Sequence, residues 1–130
     1  MELTKKEIED NIVLIKIGQE INNKNKEIQG SIELDIENQA QFVQQINDIL
    51  DNGLNKIIID INLISYIDSS GLWSLFECHK KAVQFNGKMI LIHPTKDVKR
   101  VLDITKISTK IKILESENDA IKLLKKLSIN

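Results

Sequence analysis

The sequence predicts an α/β protein: a mixed sheet, made of an N-terminal β-hairpin and parallel βα units, with about four helices packed on it in one domain spanning residues 1–130. Three observations carry this prediction. Lys56–Asn62 and Lys88–Ile92 are short, nearly continuous apolar runs, the pattern of strands buried on both faces. Segments with apolar residues at helical spacing follow each of them. Breaks containing Asn, Gly or Pro separate the two kinds of segment, and strand–helix alternation of this sort folds with right-handed crossovers.

The elements follow in order. Residues 1–10 form an N-terminal extension, in which Thr4-Lys-Lys-Glu7 has the form of a capping box; a helical turn and a frayed tail are both open there. Asn11–Ile21 reads as a strand, with Ile12, Leu14, Ile17 and Ile21 among its apolar residues. Asn22–Asn25 reads as a turn, since Asn tolerates left-handed backbone, and Lys26–Leu34 as the strand returning antiparallel to the first. Asp35–Leu50 has the period of a helix, with Ala40, Val43, Ile46, Asn47 and Leu50 on one face, and Asp51-Asn52-Gly53 ends it. After the strand at Lys56–Asn62, a second helix runs from about Ser70 to Phe85, with Leu72, Leu75, Phe76, His79, Ala82 and Val83 recurring at its period, and stops at Asn86-Gly87. Past the strand Lys88–Ile92, Pro94 blocks continuation and Thr95 can cap a third helix whose inner face is Val98, Val101 and Leu102. Lys110–Leu114 is a last short strand. Ser116-Glu-Asn-Asp119 is a second capping-box pattern and opens a helix with Ile121, Leu124 and Leu127 inward and Lys122, Lys125 and Lys126 outward.

Composition bounds the function. The chain has 130 residues, 42% hydrophobic and 28% charged, with a net charge of −1. That balance argues against nucleic-acid binding, which needs clustered positive charge. The start lacks an apolar signal-peptide core, and no apolar run approaches the roughly 20 residues of a membrane span. A cytoplasmic location with no membrane partner is expected. The single Cys78 cannot form an internal disulfide, in keeping with a reducing compartment.

The most informative stretch is Asp68-Ser69-Ser70-Gly71, between the Ile-rich strand and the second helix. Asp and Ser are preferred helix caps and Gly suits tight turns, so punctuation alone accounts for such residues. The same position also puts a serine hydroxyl where unpaired backbone N–H groups and the helix dipole favour negative charge.

The wider run from Ile58 to Leu72, an apolar strand with an acid, a short loop and Asp-Ser-Ser-Gly-Leu, resembles the signature of the STAS family, whose small stand-alone members are bacterial anti-sigma factor antagonists. Glu33-Leu34-Asp35 is similar to the family's segment before its first helix, and Pro94–Thr105 to a third segment of the family's pattern. The resemblance covers roughly Asn11 to Leu127 and implies the architecture outlined above. It implies that Ser69 is a phosphorylation site with Ser70 as its neighbour, that Asp68 is the acid of the motif, completed by Gly71 and Leu72, and that Asp35 lies near the serine. Asp60 matches a frequent acid on the preceding strand, and a purely structural hydrogen-bonding role is equally open for it. Two positions depart from the pattern. Trp73 stands where sporulation-type members carry a small residue; it is either a core residue or a partner anchor beside the serine. Lys106 stands in place of a usual Gly.

The function that the resemblance implies is a phospho-switched binding module. Unphosphorylated, it holds a serine-kinase anti-sigma factor of the GHKL type; phosphorylated at Ser69, it lets go; a PP2C-like phosphatase resets it. The alternative is a structural STAS module of a larger signalling assembly or of a transporter or lipid-transfer complex. An enzyme is not expected. Ser69 is not set in Gly-x-Ser-x-Gly, His79 lies ten residues further along the same helix, about 15 Å away by helical rise, and His93 is more naturally a loop residue. No Gly-rich phosphate loop and no metal cluster is visible, so neither cofactor nor metal is expected.

Overall fold

The computed structural model describes residues 3–18 and 32–128. Its strands are β1 (Leu3–Ile8), β2 (Ile12–Ile17), β3 (Ile32–Leu34), β4 (Lys56–Asp60), β5 (Ile64–Ile67), β6 (Lys88–Ile92) and β7 (Lys112–Leu114). Its helices are α1 (Gln39–Asp51), α2 (Ser69–Gln84), α3 (Lys96–Ile104) and α4 (Glu117–Ser128), with a short 3-10 turn at Ile107–Thr109. The α/β class and the mixed sheet are as the sequence predicts.

The main sheet has the order β1-β2-β4-β6-β7. β1 is antiparallel to β2, and every other pairing in it is parallel. Alternation along the strands sends side chains to two cores. Ile57 and Ile59 of β4, with Val13, Ile15, Met89 and Leu91, join a large cluster against α1, α2 and α3. Ile58 of β4, with Ile12, Ile90 and Ile92, points the other way and meets Ala120 and Leu124 of α4. The near-continuous Ile runs are therefore strands covered on both faces, as parallel strands must be.

The N-terminal region differs from the expectation. Thr4–Glu7 lies within a strand, not a helical turn, and the antiparallel hairpin is β1–β2, closed by Glu9-Asp10-Asn11 with Asp10 and Asn11 at positive φ (64° and 63°). A local capping pattern is worth little against a full ladder, from Leu3↔Ile17 to Ile8↔Ile12, beside the apolar strand β2. The strand expected at Asn11–Ile21 is seen as Ile12–Ile17; its last residues, the turn at Asn22–Asn25 and most of the returning strand lie outside the described residues. The described part of that strand, β3, does not return against β2. It pairs in parallel with β5 in a separate two-stranded sheet. β5 itself was not anticipated: four residues, Ile64-Ser-Tyr-Ile67, with only the two Ile buried, carry too short an alternation to stand out from a loop.

Helix boundaries and faces shift in places. α1 begins at Gln39 rather than Asp35, and its buried residues are Phe42, Ile46, Ile49 and Leu50, while Ala40 is exposed. α2 begins at Ser69 and buries Gly71, Ser74, Leu75, Cys78 and Ala82, leaving Val83 exposed. In α3, Thr95 accepts from the Val98 N–H as a cap, and Val98 and Leu102 are buried. In α4, Ser116 Oγ accepts from the Asp119 N–H, as the capping box implies; Ala120 and Leu124 face the core, and Leu127 is exposed.

Candidate functional site

The small β3–β5 sheet builds the site. The parallel register pairs Leu34 with Ile67, so the residues that leave the two strands side by side are Asp35 and Asp68. The Asp68 N–H donates to the Leu34 carbonyl at 3.3 Å and extends this pairing by one bond. β3 then feeds the turn 35–38 and α1, while β5 feeds α2 directly. Two chain segments that are far apart in sequence thus deliver two helix starts to one place.

Each acid there has a defined task. Asp68 is the N-cap of α2: its backbone is extended (φ −99°, ψ −176°), and its Oδ1 accepts from the Gly71 N–H at 2.9 Å. Its Oδ2 accepts from the Ile36 N–H at 3.3 Å. Asp35 Oδ1 accepts from the N–H groups of Glu37 (3.0 Å) and Asn38 (3.3 Å), and its carbonyl takes the Gln39 N–H at 2.9 Å. This turn is why α1 starts late: a side chain that bonds its own following amides competes with helix.

Ser69 is the first residue of α2 and is exposed; Ser70 is half-buried. Together with Gln39 and Trp73 they line a shallow, open cavity of about 210 Å³. Trp73, one turn along from Ser69, is 57% exposed and is not part of the core. Leu72 is half-buried against the large core cluster. Gly71 is needed for packing: a Cβ there would run into the carbonyl of Leu34 and come within 2.8 Å of Ile67 Cγ1. Ser74, buried one turn further, donates to the Gly71 carbonyl at 2.7 Å.

Asp60 is placed differently. It ends β4 on the side of Ile58, the α4 side, whereas α2 packs on the other face. Its Oδ1 accepts from the Asn62 N–H at 2.9 Å, and its Oδ2 lies 3.5 Å from Nδ1 of His93, a residue at φ 60° just past β6. The structure thus brings Asp35, Asp68, Ser69, Ser70, Gly71 and Trp73 together and turns Asp60 toward His93.

Sequence reasoning missed Ile36 and Gln39. Ile36 is 69% exposed at the tip of the 35–38 turn, bonded to Asp68 through its backbone. It was hidden because Asp35–Asn38 was read as the first turn of a helix; an apolar residue off that helix's apolar face was the one available signal.

The remaining reactive groups lie elsewhere. Burial, with a smaller contribution from the Glu77 charge, pushes the Cys78 thiol up to about 12, so it is not a nucleophile at neutral pH. Burial, and then the Lys88 charge, hold His79 below the ordinary histidine value. Among the described residues no group of His, Cys, Asp and Glu could hold a metal ion, and no helix is long and apolar enough to cross a membrane.

The family model for the STAS domain matches residues 4–120. The chain belongs to the STAS domain family. A Thermotoga neapolitana protein named as a candidate anti-sigma factor antagonist is 32% identical over 90 residues, which cover 68% of this chain and 80% of that protein. The crystal structure of a Thermotoga maritima protein described in the same terms superposes with a TM-score of 0.76 at 25% identity, covering 95% of this chain and 94% of that one. The Bacillus cell fate determinant SpoIIAA, solved in its phosphorylated form, shares the fold with a TM-score of 0.63 at 19% identity, over 93% of this chain and 97% of that one. In this STAS domain Lys106, the second departure from the family pattern, keeps the left-handed backbone that a Gly would favour, at φ 68°.

Proposed function

We propose that this STAS domain is an anti-sigma factor antagonist switched at Ser69. Unmodified, it binds a serine-kinase anti-sigma factor of the GHKL type. The kinase phosphorylates Ser69 and the complex separates, and a PP2C-like phosphatase restores the binding form. The observation that carries this reading is the exposed Ser69 hydroxyl at the head of α2, in a cleft with Gln39 and the exposed Trp73. The names of the Thermotoga relatives support it. Ser69 is the better acceptor of the pair because Ser70 is half-buried.

The physics of release is local. A phosphate brings about −1.5 to −2 charges at neutral pH. Asp68 adjoins Ser69, and Asp35 and Glu37 lie on the neighbouring turn. A further dianion makes this edge strongly negative and costs desolvation at any close interface.

The test is a pull-down from native extract with unphosphorylated protein, followed by mass spectrometry and mapping of the peptide the recovered kinase modifies. Recovery of a GHKL-type kinase and a phosphate on Ser69 are expected. Ser69→Ala should bind and not be released. Trp73→Ala should lower affinity by roughly 2 kcal/mol or more, as interface Trp anchors do, with its melting temperature nearly unchanged because the side chain is exposed. Recovery of large scaffold or membrane proteins instead of a kinase would overturn the reading, and a phosphate confined to Ser70 would overturn the site.

A further inference from the structure

Asp68 is bonded at both of its oxygens. Oδ1 holds the head of α2 through Gly71, and Oδ2 holds the 35–38 turn through Ile36. The turn's other side-chain bonds lie within it, between Asp35 and the amides of Glu37 and Asn38 and between Asn38 Oδ1 and the Asp35 N–H, or reach back to its own strand β3, where Asn38 Nδ2 donates to the Glu33 carbonyl; among those described, only the Asp68 bond ties it to α2. The carboxylate therefore bridges two segments, one carrying the exposed Ile36 and the other carrying Ser69 and the exposed Trp73.

We infer that Asp68 is a positioning residue that couples the state of Ser69 to the shape of the 35–38 turn. The inference rests on the reading of Ser69 as the modified residue. A phosphate at Ser69, the first helical position, has access to the amides at the head of α2 and carries more charge than a carboxylate. It repels the neighbouring Asp68 and competes with it for the same N–H donors. Asp68 then leaves the helix head, and the Ile36 N–H loses its acceptor. With its tether gone, Ile36 is no longer held against the segment that carries Trp73. Phosphorylation thus acts on the binding surface twice, by adding charge and by releasing one of its two apolar projections.

The substitution Asp68→Asn separates the two ends of the bridge. Asn is as good an N-cap as Asp, so its one oxygen keeps the Gly71 bond, but its amide NH₂ cannot accept from Ile36. The experiment reads amide hydrogen exchange by NMR on the full chain, without any partner, in four forms: wild type, Asp68→Asn, and each with phosphoserine installed at position 69 by encoded incorporation. In Asp68→Asn the Ile36 amide should exchange roughly 3- to 10-fold faster, the range that loss of an ordinary hydrogen bond produces, with Gly71 unchanged. Phosphoserine at 69 should quicken Ile36 to a similar degree in the wild-type background and add nothing in Asp68→Asn. Unchanged Ile36 exchange on phosphorylation, or an effect that simply adds to that of Asp68→Asn, would overturn the inference. If Asp68→Asn fails to fold, the phosphorylated wild-type chain alone decides it. Failure to find a kinase would sink the proposed function and leave this measurement standing.

Discussion

Lys106 occupies a backbone position that its side chain disfavours. It sits at φ 68°, ψ 14° between α3 and the 3-10 turn, donating its N–H to Asp103 and accepting from the Thr109 hydroxyl and N–H. A residue with a Cβ loses about 1 kcal/mol or more in that conformation relative to Gly. Lys106→Gly should therefore raise stability, by up to about 1 kcal/mol after the greater freedom of Gly in the unfolded chain is deducted. Urea unfolding checks this, with Lys106→Ala as the control that should gain nothing; an equal gain in both would show that backbone strain is not the cause. Residues of this kind were the most legible in the sequence. Lys106 stood out against the family pattern, and Asp68, Ser69 and Trp73 could be placed at a helix head by spacing alone. Ile36 could not, because its role depends on Asp68, 32 residues further along the chain.

At the scale of elements, α2 owes its position to a missing side chain. Gly71 lets the first turn of the helix lie directly on the Leu34 carbonyl of β3. In an exposed helix Gly→Ala gains about 1 kcal/mol. Here the sign should reverse: Gly71→Ala must push α2 away from β3, with a loss of about 1–3 kcal/mol, the usual cost of overpacking. Chemical denaturation measures it, and a stabilised variant would show that the contact yields without cost. The same contact explains what the sequence did not disclose. β4 and β6, with their near-continuous apolar runs, and α2 and α3, with their helical period, were legible because each carries its own signal. β3 and β5 are three and four residues long, and each is a strand only because the other lies beside it. β1 was obscured for a related reason: Thr4-Lys-Lys-Glu7 looks polar and helix-capping until β2 supplies a ladder partner. Asp35 was placed near the serine by resemblance alone, and the pairing of Leu34 with Ile67 is the physical reason that it lies there.

At the scale of the whole molecule, the sheet divides the chain into two cores of unequal size. α1, α2 and α3 cover one face and α4 the other, and the proposed switch lies on the three-helix side, beside the small β3–β5 sheet. Modifying Ser69 is thereby set apart from the Asp60–His93 pair and from the α4 core. A last consequence concerns β1. Among the described residues, one edge of the sheet is a strand whose Thr4, Lys5, Lys6 and Glu7 are all exposed, with Lys5 and Glu7 3.8 Å apart. Behind it lies β2, where Ile12, Val13, Ile15 and Ile17 are fully buried. Charged edge strands deter other chains from adding to a sheet, and a net charge of −1 provides little general repulsion between molecules. β1 thus covers the apolar strand β2 with a charged edge. A chain shortened to begin at Asn11 should keep the serine site but expose β2 as a sticky edge, with self-association that rises with concentration in light scattering. If it stays monodisperse, β1 is not what keeps β2 from pairing with other chains.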